Sequence, residues 1–215
     1  MTAASELSIK KLILVPSVIT LAITLLRLVG ELQRWSPTLF SREAGGAGAL
    51  VGIVWLVPVF GILFALKLGK AGQGPAAAGK ALGLCILGFA LVPIAGVAAA
   101  GLGVSQESFT MFGTFVVASI VGGVIAFRAW PALGRVLFAY GLAARIPVVI
   151  VMLIAILGSW GTHYDVAPPN LPEMNPFAKW FAIGALPQLT IWIWFTIAVG
   201  GIFGSVAALA TRGKK

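Results

Sequence analysis

This chain is poor in charge. Only 10% of its 215 residues are Asp, Glu, Lys or Arg, against about 25% in a soluble domain. It cannot clothe a globule in wetted surface, so much of its solvent must be lipid. A single cysteine, Cys85, excludes an intramolecular disulfide and a multi-cysteine metal cluster. Inside an apolar run it reads as a small packed hydrophobe rather than a reactive thiol. A single histidine, His163, excludes bis-histidine haem ligation. No H-E-x-x-H, G-x-S-x-G, Walker or dinucleotide pattern occurs. The clear membrane interior lacks His, Asp, Glu and Lys, which argues against an activated serine and against a proton relay. The expectation is a protein without catalytic machinery, resident metal or other cofactor.

What is present is apolar sequence and ordered charge. Hydrophobic residues make up 60% of the chain, and the mean hydropathy is +1.04. The net charge of +9 is spread in small clusters beside apolar runs and forms no basic face. That pattern points away from nucleic acid and toward anionic lipid headgroups. The clusters alternate along the chain. Lys10 and Lys11; Lys67, Lys70 and Lys80; Arg128, Arg135 and Arg145; and Arg212, Lys214 and Lys215 occupy every second inter-span segment. The remaining segments hold Arg27, Arg34, Arg42 and Lys179 with five of the six acids: Glu31, Glu43, Glu107, Asp165 and Glu173. Under the positive-inside rule this is a multi-pass protein of the cell membrane with both termini cytoplasmic.

Spans of about 20 apolar residues are expected at 12–30, 48–66, 81–103, 109–127, 142–160 and 188–210. Residues 1–215 then form one integral membrane domain. The fold class is all-α: a polytopic bundle of six transmembrane helices with short interfacial helices. The first run follows Lys10 and Lys11 but is long enough to span and carries no small-x-small site, so it reads as an uncleaved helix. A charge at the bilayer centre is costly, so residues 131–141 are expected as an interfacial helix, with Leu133, Val136, Leu137 and Tyr140 facing lipid. Arg145, one turn into the fifth span, would snorkel to the cytoplasmic surface. Pro187 divides the last apolar stretch into an interfacial segment at 176–186 and a span beginning near Gln188. Trp35, Trp160, Trp180, Trp192 and Trp194 form an outer aromatic belt, with Trp130 at the inner boundary; Trp55 lies deeper.

Proline falls within or at the start of five spans, at Pro16, Pro58, Pro93, Pro147 and Pro187. Such breaks either kink a helix or expose backbone at a site. Those beside polar side chains, Pro16–Ser17 and Pro187–Gln188, are the better site candidates. The Gly200-x-x-x-Gly204 and Ser119-x-x-x-Gly123 pairs permit close helix approach, within the bundle or between copies.

Two polar stretches are candidate ligand sites. Arg27, Glu31 and Arg34 recur at helical spacing and can form a linked acid-base cluster, either an anion contact at an outer cavity or simply an anchored helix end. The loop 161–176 holds His163 and Asp165 with Glu173 nearby, a weak metal or proton-relay signal that a proline-rich loop explains equally well. The candidate ligand set is Arg27, Glu31, Arg34, His163, Asp165 and Gln188. Six helices with proline breaks and a polar outer rim suggest a small-molecule or ion permeation component. The alternative is a non-catalytic scaffold or accessory subunit that binds lipid, a second copy of itself or a larger membrane complex.

Overall fold

A computed structural model describes residues 8–46, 48–169 and 171–211. The basic cluster Arg212, Lys214 and Lys215 lies outside these residues. The fold is a helical membrane bundle, with no strand among the described residues. Its principal helices are α1 (Ile9–Leu32), α2 (Leu56–Lys70), α3 (Ala78–Gly101), α4 (Phe109–Ala129) and α5 (Pro131–Gly158). A broken final stretch follows: α6 (Pro176–Lys179), one π-helical segment (Trp180–Ala185), α7 (Leu186–Leu189) and α8 (Ile191–Thr211).

Local chemistry sets the boundaries. Ser108 caps α4 by accepting a hydrogen bond from the Met111 amide at 3.1 Å. Trp130 precedes a proline, is pushed to extended backbone and so ends α4, while Pro131 opens α5. Asn175 caps the final stretch through the Ala178 amide at 2.9 Å, again with proline in the first turn.

Five helical stretches are long and apolar enough to cross a bilayer: α1, α3, α4, α5 and the composite 176–211. The expected span at 48–66 is different. Residues 48–55 are turns and bends, and α2 has 15 residues, about 22 Å against a hydrocarbon core of about 30 Å. Glycines at 45, 46 and 48 with positive φ keep the approach to α2 from joining the helix. Among the described residues five stretches thus have the length of a full span, and α2 is a shorter sixth helix.

The expected interfacial helix at 131–141 is also different. Residues 131–158 form one continuous helix. Leu133, Val136, Leu137 and Tyr140 are 1–2% exposed and pack in the core rather than against lipid. Arg145 does not snorkel; it is 4% exposed, fourteen residues and about 21 Å from the start of α5. The other helices bury that face of α5, so its charge never meets lipid. Within the 176–211 stretch, α8 begins at Ile191 after an irregular Thr190, close to the span start expected near Gln188.

Helices pack through glycine. A Cβ at Gly61 would meet the Gly200 carbonyl oxygen at 2.5 Å, and one at Gly204 the Leu133 Cδ2 at 2.7 Å. Gly88 and Gly122 each leave no room for a Cβ against the other's carbonyl. With Gly204 also against Ala65, Gly200 against Leu137 and Gly96 against Phe115, these contacts run α2 parallel to α8, α5 antiparallel to α8, and α3 antiparallel to α4. The Thr20–Tyr140 hydroxyl bond of 2.8 Å, with Tyr164 just beyond α5 donating to the Thr24 carbonyl, runs α1 parallel to α5. Lys10, Lys11, Lys67, Lys70, Lys80, Arg128 and Arg135 thereby gather at one end of the bundle. The Gly-x-x-x-Gly pair serves packing within the bundle, and so does Cys85, which is buried and lies against Gly201.

The aromatic belt holds only in part. Trp35, Trp160 and Trp55 are substantially exposed. Trp194 is buried and donates to the Gly88 carbonyl at 2.7 Å, and Trp130 is buried with its indole on the Gln73 carbonyl at 2.9 Å. These two close helices on each other rather than anchor them in headgroups. Gly88→Ala is expected to lower stability by about 1–3 kcal/mol through overpacking. Gly83→Ala, on an open face of the same helix, should be neutral or stabilising. Thermal unfolding in detergent, read by size-exclusion recovery, distinguishes the two; equal behaviour would exclude the close α3–α4 contact.

Candidate functional site

At the end away from the basic residues the helices enclose a cavity of about 850 Å³. Its mouth is formed by Gln106–Phe109, Pro168 and Pro172, and its inner wall by α1, α5 and the 182–192 stretch. Two charged groups lie along it, and they are satisfied in opposite ways.

The first is built on Glu31. Its side chain has no exposure. Arg27, one turn earlier on α1, donates Nε to Glu31 Oε1 at 2.8 Å. His163, 132 residues away, donates its backbone amide to Oε2 at 2.9 Å, and its Nδ1 lies 2.5 Å from Oε1. The Arg27 Nη2 reaches the carbonyls of Ser41 at 3.3 Å and Gly46 at 3.0 Å. A single carboxylate thus joins α1, the 41–46 loop and the loop after α5. Gly46 must be glycine: its φ is 72°, and a Cβ would meet Arg27 Nη2 at 2.6 Å and His163 Cδ2 at 2.7 Å.

Burial holds the His163 imidazole below its ordinary pKa; the Glu31 hydrogen bond opposes this, and the nearby Arg27 charge adds to it. Glu31 is already neutralised by Arg27, so a second cation has little to gain. The ring is neutral near pH 7, and with its proton on Nδ1 it donates to Glu31. Burial also pushes the Tyr164 phenol up; its hydroxyl donates to the Thr24 carbonyl at 3.3 Å.

Asp165 spends its oxygens on its own loop. Oδ2 accepts from the Gly161 amide at 2.8 Å, and Oδ1 from the Thr162 amide at 2.7 Å and hydroxyl at 2.6 Å. It shapes the turn that presents His163 and does not line the cavity. Among the described residues no three His, Cys, Asp or Glu side chains converge as a metal set. Arg34 does not join the cluster. α1 ends at Leu32, and Arg34 is exposed, in left-handed backbone at φ 54°; the helical spacing assumed for it stops two residues short.

The second group is Arg145. Its guanidinium donates from Nη1 to Gln188 Oε1 at 3.2 Å and stacks on Trp192, 4.4 Å from the ring centroid. Its Nε has no hydrogen-bond partner, and no carboxylate pairs with it among the described residues. Gln188 was expected as a site residue beside a proline break. Arg145 and Trp192 were not; the signal for them was the 28-residue run from Pro131 to Gly158 read as a single helix, which puts Arg145 at its middle.

Comparison with known proteins adds no relative: no family model, no curated protein and no solved structure matches the chain.

The Glu31 cluster has a pH signature. His163 binds a proton more readily in the open loop than in the docked one, so docking is fully stable above about pH 6.5, the ordinary imidazole pKa. It weakens as pH falls through that value toward the lower docked pKa. Deuterium uptake by residues 161–166, corrected for intrinsic exchange, should rise between pH 7.5 and 5.5, and His163→Gln should flatten the difference. Glu31→Ala strands the nearly buried Arg27 and should destabilise the fold by about 3–5 kcal/mol, read as lost thermal stability in detergent.

Proposed function

We propose that this membrane protein is a small-molecule permeation or transport component of the cell membrane, loaded from the non-cytoplasmic side. The observation that carries the reading is the cavity of about 850 Å³. It runs from the loops opposite the basic end to Arg145, about halfway along α5. Ligand pockets of this kind are concave, mostly apolar and furnished with few polar groups. Irregular backbone at membrane depth, here the π-helical segment and the Thr190 break, is tolerated where it lines such a cavity.

The basic end faces the cytoplasm in this reading, as the positive-inside rule requires. Both termini lie there, and Lys67, Lys70, Lys80, Arg128 and Arg135 meet anionic headgroups. The Glu31 cluster ties the loops at the mouth and gates the cavity. The work is binding and passage, with no covalent step. A scaffold role has one supporting observation: Leu14, Val15, Val18, Leu25 and Leu26 of α1 are exposed, an apolar face that suits lipid, a second copy or another membrane helix. It leaves the cavity without a use, so we rank it second.

Cysteine labelling tests the orientation. Thr38→Cys and Ser105→Cys should react with an impermeant reagent on intact cells and Gly74→Cys should not, native Cys85 being buried. The reverse pattern would invert the protein. In proteoliposomes, a panel of radiolabelled organic anions, amines and sugars should include one with saturable uptake that Arg27→Ala abolishes. Uptake of none, together with unreactive Ile53→Cys and Val148→Cys on the cavity wall, would leave the scaffold role.

A further inference from the structure

Arg145 is the most unusual group in the molecule. It is 96% buried at mid-span, lines the cavity and, among the described residues, pairs with no acid. Its neighbours are neutral and shape how it can be approached. Trp192 covers one face of the guanidinium plane, which leaves the edges. Gln188 takes Nη1. Nε is buried without an acceptor, so the guanidinium keeps donor capacity that no protein group uses. A guanidinium with unused N–H donors is the side chain best matched to the oxygens of a carboxylate or phosphate.

The rest of the wall sets the other half of the ligand. Ile23, Ile53, Phe115, Val148, Met152 and Ile183 line the cavity around Arg145. They offer nothing to a small hydrated ion and much to a hydrocarbon chain. The charges farther out do not compete for the anion: Arg27 is neutralised by Glu31, and Glu107 is exposed at the mouth.

We infer that the cavity is a binding site for an oxyanionic amphiphile, a molecule with one carboxylate or phosphate-monoester head held by Arg145 and an apolar chain lying along the cavity wall. The inference rests on the transport reading for its biological use, but the binding itself does not require transport.

The test uses the purified full chain in nanodiscs of neutral lipid. The probes are dodecanoate, dodecyl phosphate, dodecanol and inorganic phosphate, followed by tryptophan fluorescence, since Trp192 stacks on the binding group. Dodecanoate, dodecyl phosphate or both should bind saturably; which of them binds tells a carboxylate head from a phosphate head. Dodecanol should bind at least ten-fold more weakly, and inorganic phosphate should not bind. Arg145→Met should weaken the anions at least ten-fold and leave dodecanol unchanged.

Arg145→Met changes a buried group, so a second variant guards against misfolding. Gln188→Glu is nearly isosteric and supplies Arg145 with an internal carboxylate. It should keep or raise thermal stability and lose anion binding at least ten-fold. Anion binding unaffected by Gln188→Glu, or dodecanol binding as tightly as dodecanoate, overturns the inference. Anion binding without flux in proteoliposomes upholds it and sinks the transport reading. Saturable flux of a neutral solute with no anion binding does the opposite.

Discussion

A carboxylate with no exposure has to be neutralised where it stands, and Glu31 is neutralised by groups from separate parts of the chain. Arg27 comes from its own helix, and the His163 amide and ring come from the loop after α5. Arg27 then extends the network to the carbonyls of Ser41 and Gly46. Buried polar networks of this kind are costly when incomplete and strongly specifying when complete. Here the completed network fixes how three loop and helix-end segments meet at one end of the bundle. The mouth of the cavity inherits its shape from that meeting.

The other half of the molecule is held by the opposite means. Around α8 and between α3 and α4 the contacts are glycine against backbone or leucine: Gly61 on Gly200, Gly204 on Leu133, Gly122 on Gly88. Without a hydrophobic drive between helices in lipid, such close approach and the dispersion it brings are what hold a bundle together. Nearer the other end the facing side chains are large or polar: Trp192, Phe115, Met152, Arg145. Helices fixed closely at one end and spaced by bulky groups at the other leave a cleft. The cavity lies where glycine-to-backbone contacts between helices give way to these larger side chains.

The sequence was most readable where one rule acted alone. Spans at 81–103 and 109–127 differ from α3 and α4 by at most three residues at either end, because each is a plain apolar run between turns. The Arg27–Glu31 pair was visible as helical spacing. Its partner His163 was visible only as a lone histidine, since a contact across 132 residues leaves no local trace. The reading of α5 failed where two rules competed. The expense of a mid-span charge was weighed against lipid, although a charge turned inward never meets lipid. The shortness of α2 was hidden too, since the apolar residues 48–55 look like the start of a span until the glycines before them are seen to take positive φ.

The two inward cations show what that inward turn permits. A mid-span arginine costs about 2.5–3.5 kcal/mol on insertion scales, and the simplest offset within the chain is a carboxylate. Arg27 has one. Arg145 has instead an amide oxygen at 3.2 Å and an indole face, both of which stabilise a guanidinium without cancelling its charge. Glutamine differs from glutamate by one polar atom, so the neutral choice at 188 is not forced by size. Its effect is to leave a net positive potential in a low-dielectric cavity, where electrostatic attraction is far stronger than in water. Stability of the resting fold alone would favour the acid at 188. If the cavity accepts and releases an anion, as we propose, the amide suits it better, because an internal carboxylate would cancel the Arg145 charge permanently.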